Sequence, residues 1–281
     1  MHRLSLGRAA RVRGAVRKTR DPVLFVREEG VGEPLVLLHG LASSGRYWGD
    51  LASFAERHRV IVPDLLGFGR SAKPRNAEYT PAQHIAALRP ALRQHAGGPF
   101  RLVGHSLGSL IALHYAATYP QDVSTLTLIS LPVVGGCAWG HGLNGSMGGW
   151  HRWSVHSRSG QQVFNAGIRL AHPVWERLGP RVRRDVPPEA TRDNLRSTWT
   201  SYWRSLEAVV YGTDVPALLV RLPMPLTLIH GTADQLTPLD PVRTLARAYP
   251  NVRLIEITGA GHNPYFTHRD ATLASLTDSL N

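Results

Sequence analysis

Cysteine is almost absent from this chain: its 281 residues include one, Cys137. A single cysteine excludes a disulfide within the chain and argues against a metal cluster held by several thiolates. No other set of side chains has metal-ligand spacing, so we expect neither a bound metal nor a cofactor. The low use of cysteine fits a reducing compartment, and the sequence therefore predicts a cytoplasmic protein.

Long apolar runs are also missing. No stretch reaches the roughly 18 apolar residues that a membrane-spanning helix needs, so we expect no transmembrane segment. The first 20 residues contain six arginines, one lysine and no acidic residue, and they lack the apolar segment of about 7–15 residues found in secretory signals. We interpret residues 1–22 as a basic N-terminal arm or edge strand. An organelle transit peptide, also rich in arginine, is the alternative.

Acidic residues are outnumbered by basic ones, 20 against 32, which gives a formal net charge of +12. Residues 1–20 contribute +7 of this excess, and residues 131–223 contribute +5 from 11 arginines and 6 acids. Such surfaces attract nucleic acid, anionic membranes or acidic partners. No zinc-finger spacing, RNA-binding sheet motif or basic region with heptads is present, so we expect no specific nucleic-acid binding. The sequence leaves undecided whether these two regions bind an anionic partner or surface. It does not indicate the oligomeric state.

What the sequence does contain is an alternation of short apolar strands and helical patterns. This order is typical of crossover units, and it predicts an α/β fold with a mostly parallel central sheet flanked by helices. Within it we expect one short helix over 44–56, begun by Ser43 or Ser44, and a helix over 80–96 begun by Thr80 and kinked or broken at Pro90. The predicted strands are 23–30, 33–40, 59–67, 100–104, 123–131, 225–231 and 251–257.

The alternation fails between residues 131 and 223. A glycine-rich loop and polar helical patterns replace it, and six of the seven tryptophans fall here. We interpret 131–223 as an insertion into a core formed by 23–130 and 224–281. Trp139 and Trp150 are candidates for an aromatic substrate pocket; the alternative is that the tryptophans anchor helices onto the sheet.

The stretch RLVGHSLGSL places a serine between two glycines at the point where a strand pattern becomes a helix pattern. Gly104-His105-Ser106-Leu107-Gly108 fits the Gly-x-Ser-x-Gly nucleophile elbow in the context that this motif requires. A tight, strained turn would lift the Ser106 hydroxyl clear of the sheet, and side chains at 104 and 108 would collide with the neighbouring strand and helix. His105 either lines the pocket or fills space beside the turn.

A serine nucleophile needs a base, and that base needs an acid to orient it. Asp234 and His262 each follow a predicted strand, as Ser106 does, and the carboxyl ends of parallel strands gather at one edge of a sheet. The order Ser, Asp, His is the order of this elbow motif. The rival acids Asp214 and Asp240 follow no strand; the rival base His268 lies farther along the last helix.

These residues together resemble the α/β-hydrolase fold family, in its branch with an inserted helical cap. LVLLHGLASSG (35–45) is similar to the family's oxyanion loop, and DLLGFGRSAKP (64–74) is similar to its Asp-x-x-Gly-x-Gly-x-Ser turn. The resemblance implies that Ser106, Asp234 and His262 are catalytic, that the N–H groups of Leu41 and Leu107 hold the oxyanion, and that 131–223 is the cap. His39 and Asp64 we expect to organise their loops rather than to take part in chemistry.

The resulting prediction is a serine hydrolase that cleaves an ester, lactone or thioester of a small to medium substrate through an acyl-enzyme, with aromatic and acidic substrates among the candidates. The same triad also serves cofactor-free oxygenases, perhydrolases, carbon–carbon bond hydrolases and hydroxynitrile lyases in this family. A ligand-binding receptor with slow turnover is the alternative of another class. The position of Ser106 argues against the family's dehalogenases and epoxide hydrolases, which carry aspartate there.

Overall fold

The computed structural model of the chain describes residues 23–133, 163, 167, 170, 171, 173, 174, 176–178, 181, 185–194 and 196–280. The predicted basic arm, Cys137 and the predicted pocket residues Trp139 and Trp150 lie outside the described residues.

The described residues form a seven-stranded sheet with the order β1-β3-β2-β4-β5-β6-β7. β1 runs antiparallel to β3, and every other neighbouring pair is parallel. This confirms the predicted α/β fold with a mostly parallel sheet. The strands are β1 (Val26–Glu29), β2 (Glu33–Leu38), β3 (His58–Pro63), β4 (Phe100–His105), β5 (Val123–Ile129), β6 (Leu226–Gly231) and β7 (Val252–Ile257).

Both faces of the sheet are covered, and the inner strand β2 is accordingly a continuous apolar run from Leu35 to Leu38. Along β2, Val36 and Leu38 pack into one hydrophobic core, and Leu35 and Leu37 pack into the other. All four side chains are 0% exposed. The alternation follows from the two-residue period of a strand.

Helices flank this sheet. They are α1 (Ala52–Ala55), α2 (Pro81–Ala96), α3 (Leu107–Thr118), α4 (Pro188–Asn194), α5 (Trp199–Ser205), α6 (Val215–Leu219), α7 (Leu239–Ala248), α8 (Pro264–Thr267) and α9 (Arg269–Leu280), with 3-10 turns at Gly45–Trp48 and Pro120–Asp122 and a π-helical turn at Leu206–Tyr211. The described residues between 163 and 181 are helical as well.

The segment predicted as one helix over 44–56 is two short elements. A 3-10 turn over Gly45–Trp48 begins at Ser44, whose hydroxyl accepts from the Arg46 N–H, and α1 follows. Gly49 separates them at φ 60°, a left-handed value that ends the first element. Ser44 is thus the N-cap of this segment, as one of the two predicted candidates.

Of the two outcomes predicted at Pro90, the break is wrong, because α2 continues unbroken through that residue, and the kink stays a prediction. Thr80 begins the helix as expected, with its hydroxyl accepting from the Gln83 N–H. An internal proline costs about 3 kcal/mol. Pro90 is exposed, while Leu88 and Leu92 on either side of it are buried in the core. Burial of that apolar face outweighs the local cost of the proline.

Candidate active site

Three strands of the sheet end at the candidate catalytic residues. Ser106 directly follows β4, while Asp234 and His262 lie in the loops after β6 and β7. Because these strands are parallel, their carboxyl ends meet at one edge of the sheet. The fold thereby brings together residues that are 156 and 28 positions apart in the chain.

Ser106 lies on a strained turn between β4 and α3. Its backbone has φ 52° and ψ −119°, a conformation that side-chain-bearing residues rarely adopt. Its N–H is bonded to the Ile129 carbonyl of the adjacent strand, and its carbonyl accepts from the N–H of Ser109 in the helix. The turn is therefore fixed from both sides, and the serine side chain stays half-buried rather than covered.

The glycines of this turn have no room for a side chain. A Cβ on Gly104 would lie 2.4 Å from the carbonyl oxygen of Gly108, and a Cβ on Gly108 would lie 2.5 Å from that of His39. Contacts this short require the backbone to move. The close approach of β4, α3 and the end of β2 at the elbow therefore depends on glycine at both positions.

A chain of hydrogen bonds joins the three residues. His262 Nε2 lies 3.0 Å from Ser106 Oγ, and His262 Nδ1 lies 2.9 Å from Asp234 Oδ2. Because a carboxylate only accepts, Nδ1 carries the proton of the neutral ring, and Nε2 is left to accept from the serine hydroxyl. This is the arrangement in which imidazole can act as a general base toward serine.

Asp234 is held as an anion. Burial by itself raises the pKa of this carboxyl, but hydrogen bonds from His262 and Thr237 outweigh burial and hold the pKa at about 2. Oδ1 accepts from the N–H groups of Leu236 and Thr237, each at 2.9 Å. Oδ2 accepts from the Thr237 hydroxyl at 2.6 Å as well as from His262. A buried carboxylate with four donors stays ionised at neutral pH and can stabilise a cation on His262.

Thr237 is a site residue that the sequence analysis missed. Its hydroxyl lies 2.6 Å from Asp234 Oδ2 and 3.2 Å from His262 Nδ1, so it contacts both partners of the His–Asp pair. A local sequence pattern could have indicated Thr237. When a threonine follows an aspartate by three positions, the carboxylate can accept hydrogen bonds from the backbone N–H and the hydroxyl of that threonine.

The two predicted oxyanion donors lie on elements next to Ser106. Leu107 is the first residue of α3, so its N–H belongs to the helix end whose amides have no partner within the helix. Leu41 follows Gly40, where a Cβ would lie 3.3 Å from Ser106 Cβ. The loop carrying Leu41 therefore passes directly against the serine side chain. The donation of both amides to an oxyanion stays a prediction.

His39 and Asp64 each hydrogen-bond to nearby backbone groups. His39 is buried, with Nδ1 donating to the Gly40 carbonyl and Nε2 accepting from the Leu65 N–H, so its ring organises the backbone as expected. Asp64 accepts from the N–H groups of Gly45 and Arg70 in the same way.

His105 does not face solvent: it is 2% exposed, its ring stacks on Tyr47, and its Nε2 lies 2.9 Å from the His262 carbonyl. A role in the pocket stays a prediction.

The rival acids and base have other partners. Asp214 is the N-cap of α6, where it accepts from the Ala217 N–H. Asp240 pairs with Arg243 on the exposed face of α7. His268 contacts the Thr267 hydroxyl at the end of α8. None of these contacts involves Ser106.

The part of the chain that the structure describes has neither a metal-binding cluster nor a membrane-spanning helix. No cluster of three or more histidine, cysteine, aspartate or glutamate side chains there is arranged to hold a metal ion. No helix among the same residues is long and apolar enough to cross a membrane.

Residues 35–275 match the model of the alpha/beta hydrolase family. Pimeloyl-acyl-carrier protein methyl ester esterase from Chromobacterium violaceum is 30% identical over 92% of this chain and 98% of its own length. An Arabidopsis thaliana protein named as a probable lysophospholipase, BODYGUARD 4, is 28% identical over 90% of this chain, which spans 66% of that protein's length. Lipase 1 of Psychrobacter immobilis is 24% identical over 90% of this chain and 78% of its own length.

Solved structures show the same architecture. A hydrolase from Pseudomonas aeruginosa superposes with a TM-score of 0.73 at 23% identity, covering 94% of this chain and 96% of its own. An esterase from Thermogutta terrifontis gives 0.67 at 23% identity, covering 92% of each chain. The family match spans most of the chain and includes the elbow and all three strand-end residues. The chain is therefore an enzyme that belongs to the alpha/beta hydrolase family.

Proposed function

We propose that this enzyme hydrolyses a carboxylic ester through an acyl-enzyme on Ser106. The observation that carries the proposal is the continuous hydrogen-bonded relay from Ser106 Oγ through His262 to an ionised Asp234. The three relatives named above are called an esterase, a lysophospholipase and a lipase, all names of ester-cleaving enzymes. Lactones and thioesters have the same acyl chemistry and belong to the proposed substrate range.

In the first half of the reaction, His262 Nε2 takes the hydroxyl proton as Ser106 Oγ attacks the ester carbonyl. The carbonyl electron pair moves to its oxygen, and the N–H groups of Leu41 and Leu107 stabilise the resulting oxyanion. When the tetrahedral intermediate collapses, the ester C–O bond breaks and His262 gives its proton to the leaving alkoxide. The products are an acyl-serine and a free alcohol.

In the second half, water replaces the alcohol. His262 takes a proton from water as the hydroxyl adds to the acyl carbonyl, and the same amides hold the second oxyanion. Collapse breaks the bond to Ser106 Oγ, which recovers its proton from His262 and releases the carboxylic acid. The ionised Asp234 stabilises the imidazolium that forms in each half.

The inserted segment over 131–223 we propose as a cap over this site. Two contacts support it: Asp185 accepts from the side-chain amide of Asn263, next to His262, and Asp193 accepts from the hydroxyl of Ser44, near Leu41. The insertion thus touches both loops that flank Ser106, where a cap would shape the acyl or alcohol pocket. Its excess of arginine makes acidic substrates the class to test beside neutral and aromatic ones.

A fluorophosphonate probe with peptide mass analysis tests the nucleophile, and a panel of p-nitrophenyl esters of varied acyl length and charge tests the reaction. We expect labelling on Ser106, its loss in Ser106→Ala, and retention in Ser53→Ala, which changes an exposed serine of α1. Ester turnover should fall about 10⁴–10⁶-fold in Ser106→Ala.

Labelling of Ser106 without turnover of any ester would show that the serine is activated but that the enzyme does not hydrolyse esters. The function would then be one of the other reactions that this triad catalyses. Absence of both labelling and turnover would overturn the proposal and favour a binding role.

A further inference from the structure

The backbone carbonyl of His262 accepts hydrogen bonds from two side chains. His105 Nε2 lies 2.9 Å from this oxygen, and Ser130 Oγ lies 3.0 Å from it. His105 is the last residue of β4 and Ser130 directly follows β5, so both donors come from the central strands of the sheet. Side-chain donors converging on one backbone oxygen fix a peptide plane that no ladder holds.

The His105 ring is built to donate this bond. It is 2% exposed and stacks on Tyr47, with ring centroids 4.4 Å apart and planes 15° apart. Burial, followed by the neighbouring His262, lowers the pKa of His105 to about 3, so the ring is neutral at any working pH. Since a carbonyl only accepts, the single proton lies on Nε2. His105 Nδ1 is then a bare, buried acceptor, against which Gly40 packs.

Ser130 is held in a costly conformation. Its φ is 50°, in the left-handed region, and its side chain is 0% exposed. A non-glycine residue there costs about 1–3 kcal/mol and persists only where its surroundings demand it. Its N–H continues the sheet by donating to the Ile229 carbonyl, and the positive φ coincides with a hydroxyl that points at the His262 carbonyl.

The loop carrying His262 needs such support. It runs from the end of β7 to α8 and contains Gly259, at φ 73°, and Gly261, which has open space around its Cβ position. Both glycines precede His262, and they leave the backbone that leads into this residue with more freedom than other residues would allow. The imidazole, by contrast, must hold two bonds at once, to Ser106 and to Asp234.

We propose that His105 and Ser130 are positioning residues that clamp the His262 peptide, so that its imidazole stays aligned between Ser106 and Asp234. The inference rests on the proposed function, and it assigns to the elbow histidine a role apart from the substrate pocket. Neither side chain touches the substrate in this role; each acts through His262.

Four variants test the clamp. His105→Phe keeps a stacking ring without a donor, and His105→Gln restores an N–H near the position of Nε2. Ser130→Ala removes the hydroxyl, and Ser124→Ala, which changes an exposed serine of β5 just before it, is its matched control. We expect His105→Phe and Ser130→Ala each to lower kcat by about 10–100-fold with KM within about twofold of wild type, since misplacing a catalytic group by about 1 Å costs rate rather than binding. His105→Gln should recover most of the lost rate.

A spectroscopic readout separates the clamp from the reaction. The His262 Nδ1 proton, bonded to a carboxylate, should give a strongly deshielded proton NMR signal in the wild type. The signal should broaden or vanish in His105→Phe and Ser130→Ala and persist in His105→Gln and Ser124→Ala. This measurement requires no turnover, so it decides on the clamp even if no ester is hydrolysed and the proposed function fails. An unchanged signal in folded His105→Phe and Ser130→Ala would overturn the proposal, as would an equal loss of the signal in Ser124→Ala.

Discussion

The hydroxyl of Ser44 donates a 2.6 Å hydrogen bond to Asp193, although 149 positions separate the two residues. Asp193 is 3% exposed and also faces Arg46 and Arg196 at 3.7 Å and 3.5 Å. One buried carboxylate thus connects the loop that follows β2 to helix α4, which lies in the segment proposed as the cap. Since that loop carries Leu41, the bond couples the position of α4 to the proposed oxyanion site.

This link predicts a coupling energy between the two residues. Ser44→Ala and Asp193→Asn should each lower the free energy of unfolding by about 1–3 kcal/mol, because each leaves a buried polar group with a lost partner. The double variant should be less destabilised than the sum, by about 0.5–3 kcal/mol. Urea unfolding of the four proteins measures this cycle. Strict additivity would show that the hydroxyl and the carboxylate act independently, for instance with Ser44 contributing only its N-cap bond to Arg46.

A single methyl group added to a glycine of the elbow should strongly lower the stability of the protein. In Gly104→Ala the new Cβ would lie 2.4 Å from the Gly108 carbonyl oxygen, so β4 and α3 must separate. We expect a loss of about 1–3 kcal/mol or more in unfolding free energy, together with loss of fluorophosphonate labelling. Gly98→Ala is the control, because no atom lies within 4 Å of its Cβ position. Equal stability of the two variants would show that the elbow tolerates side chains.

Removing the charge of Asp234 should stop catalysis while the fold persists. Asp234→Asn presents an amide to His262 and favours the wrong tautomer, so kcat should fall roughly 10⁴-fold, as in serine proteases with the same change. Asp240→Asn is the matched control, since Asp240 has an 88% exposed side chain on α7. Hydrolysis of a p-nitrophenyl ester compares the two. Comparable activity in both variants would remove Asp234 from the mechanism.

The same carboxylate predicts an acid-dependent stability. The pKa of Asp234 lies at about 2 in the folded protein, below its ordinary value of 3.8, so the unfolded chain binds this proton more tightly. The stabilisation is complete above about pH 4 and is lost as the pH falls toward about 2. The difference in unfolding free energy between wild type and Asp234→Asn should therefore shrink over that range. A difference that is independent of pH would contradict the depressed pKa.

Helix α2 offers a stabilising change. Pro90→Ala restores an N–H to the helix interior and removes the clash of the proline ring with the preceding turn, so the free energy of unfolding should rise by about 1–3 kcal/mol. Pro81→Ala, at the first position of the same helix, should not raise it, since the N–H at that position has no partner within the helix. Thermal unfolding of both variants distinguishes them. A lower melting temperature for Pro90→Ala would mean that proline is the preferred residue there.

Local patterns carried most of what could be predicted. The strand and helix order, Thr80 as N-cap and the elbow each depend on residues within a few positions of one another, and the structure has the expected elements there. The break expected as one outcome at Pro90 does not occur, because Leu88 and Leu92 are buried on either side of it, and only the packed core reveals that burial. The single helix expected over 44–56 is interrupted at Gly49. The left-handed backbone of Gly49 is a property of the folded loop, so the local pattern did not reveal it.

By itself, the sequence determined the parallel α/β architecture and the three residues that follow strand ends, because hydrophobic period and turn chemistry are written locally. The family followed from the resemblance of its motifs to those of known alpha/beta hydrolases. Tertiary structure alone decided which side chains from distant segments meet. The 3.0 Å contact of Ser106 with His262, the bond from His262 to Asp234, the bond from Ser44 to Asp193 and the two donors on the His262 carbonyl join residues from separate strands and loops. Such contacts depend on strand order and register, and these follow from the packing of the whole sheet rather than from any segment of it.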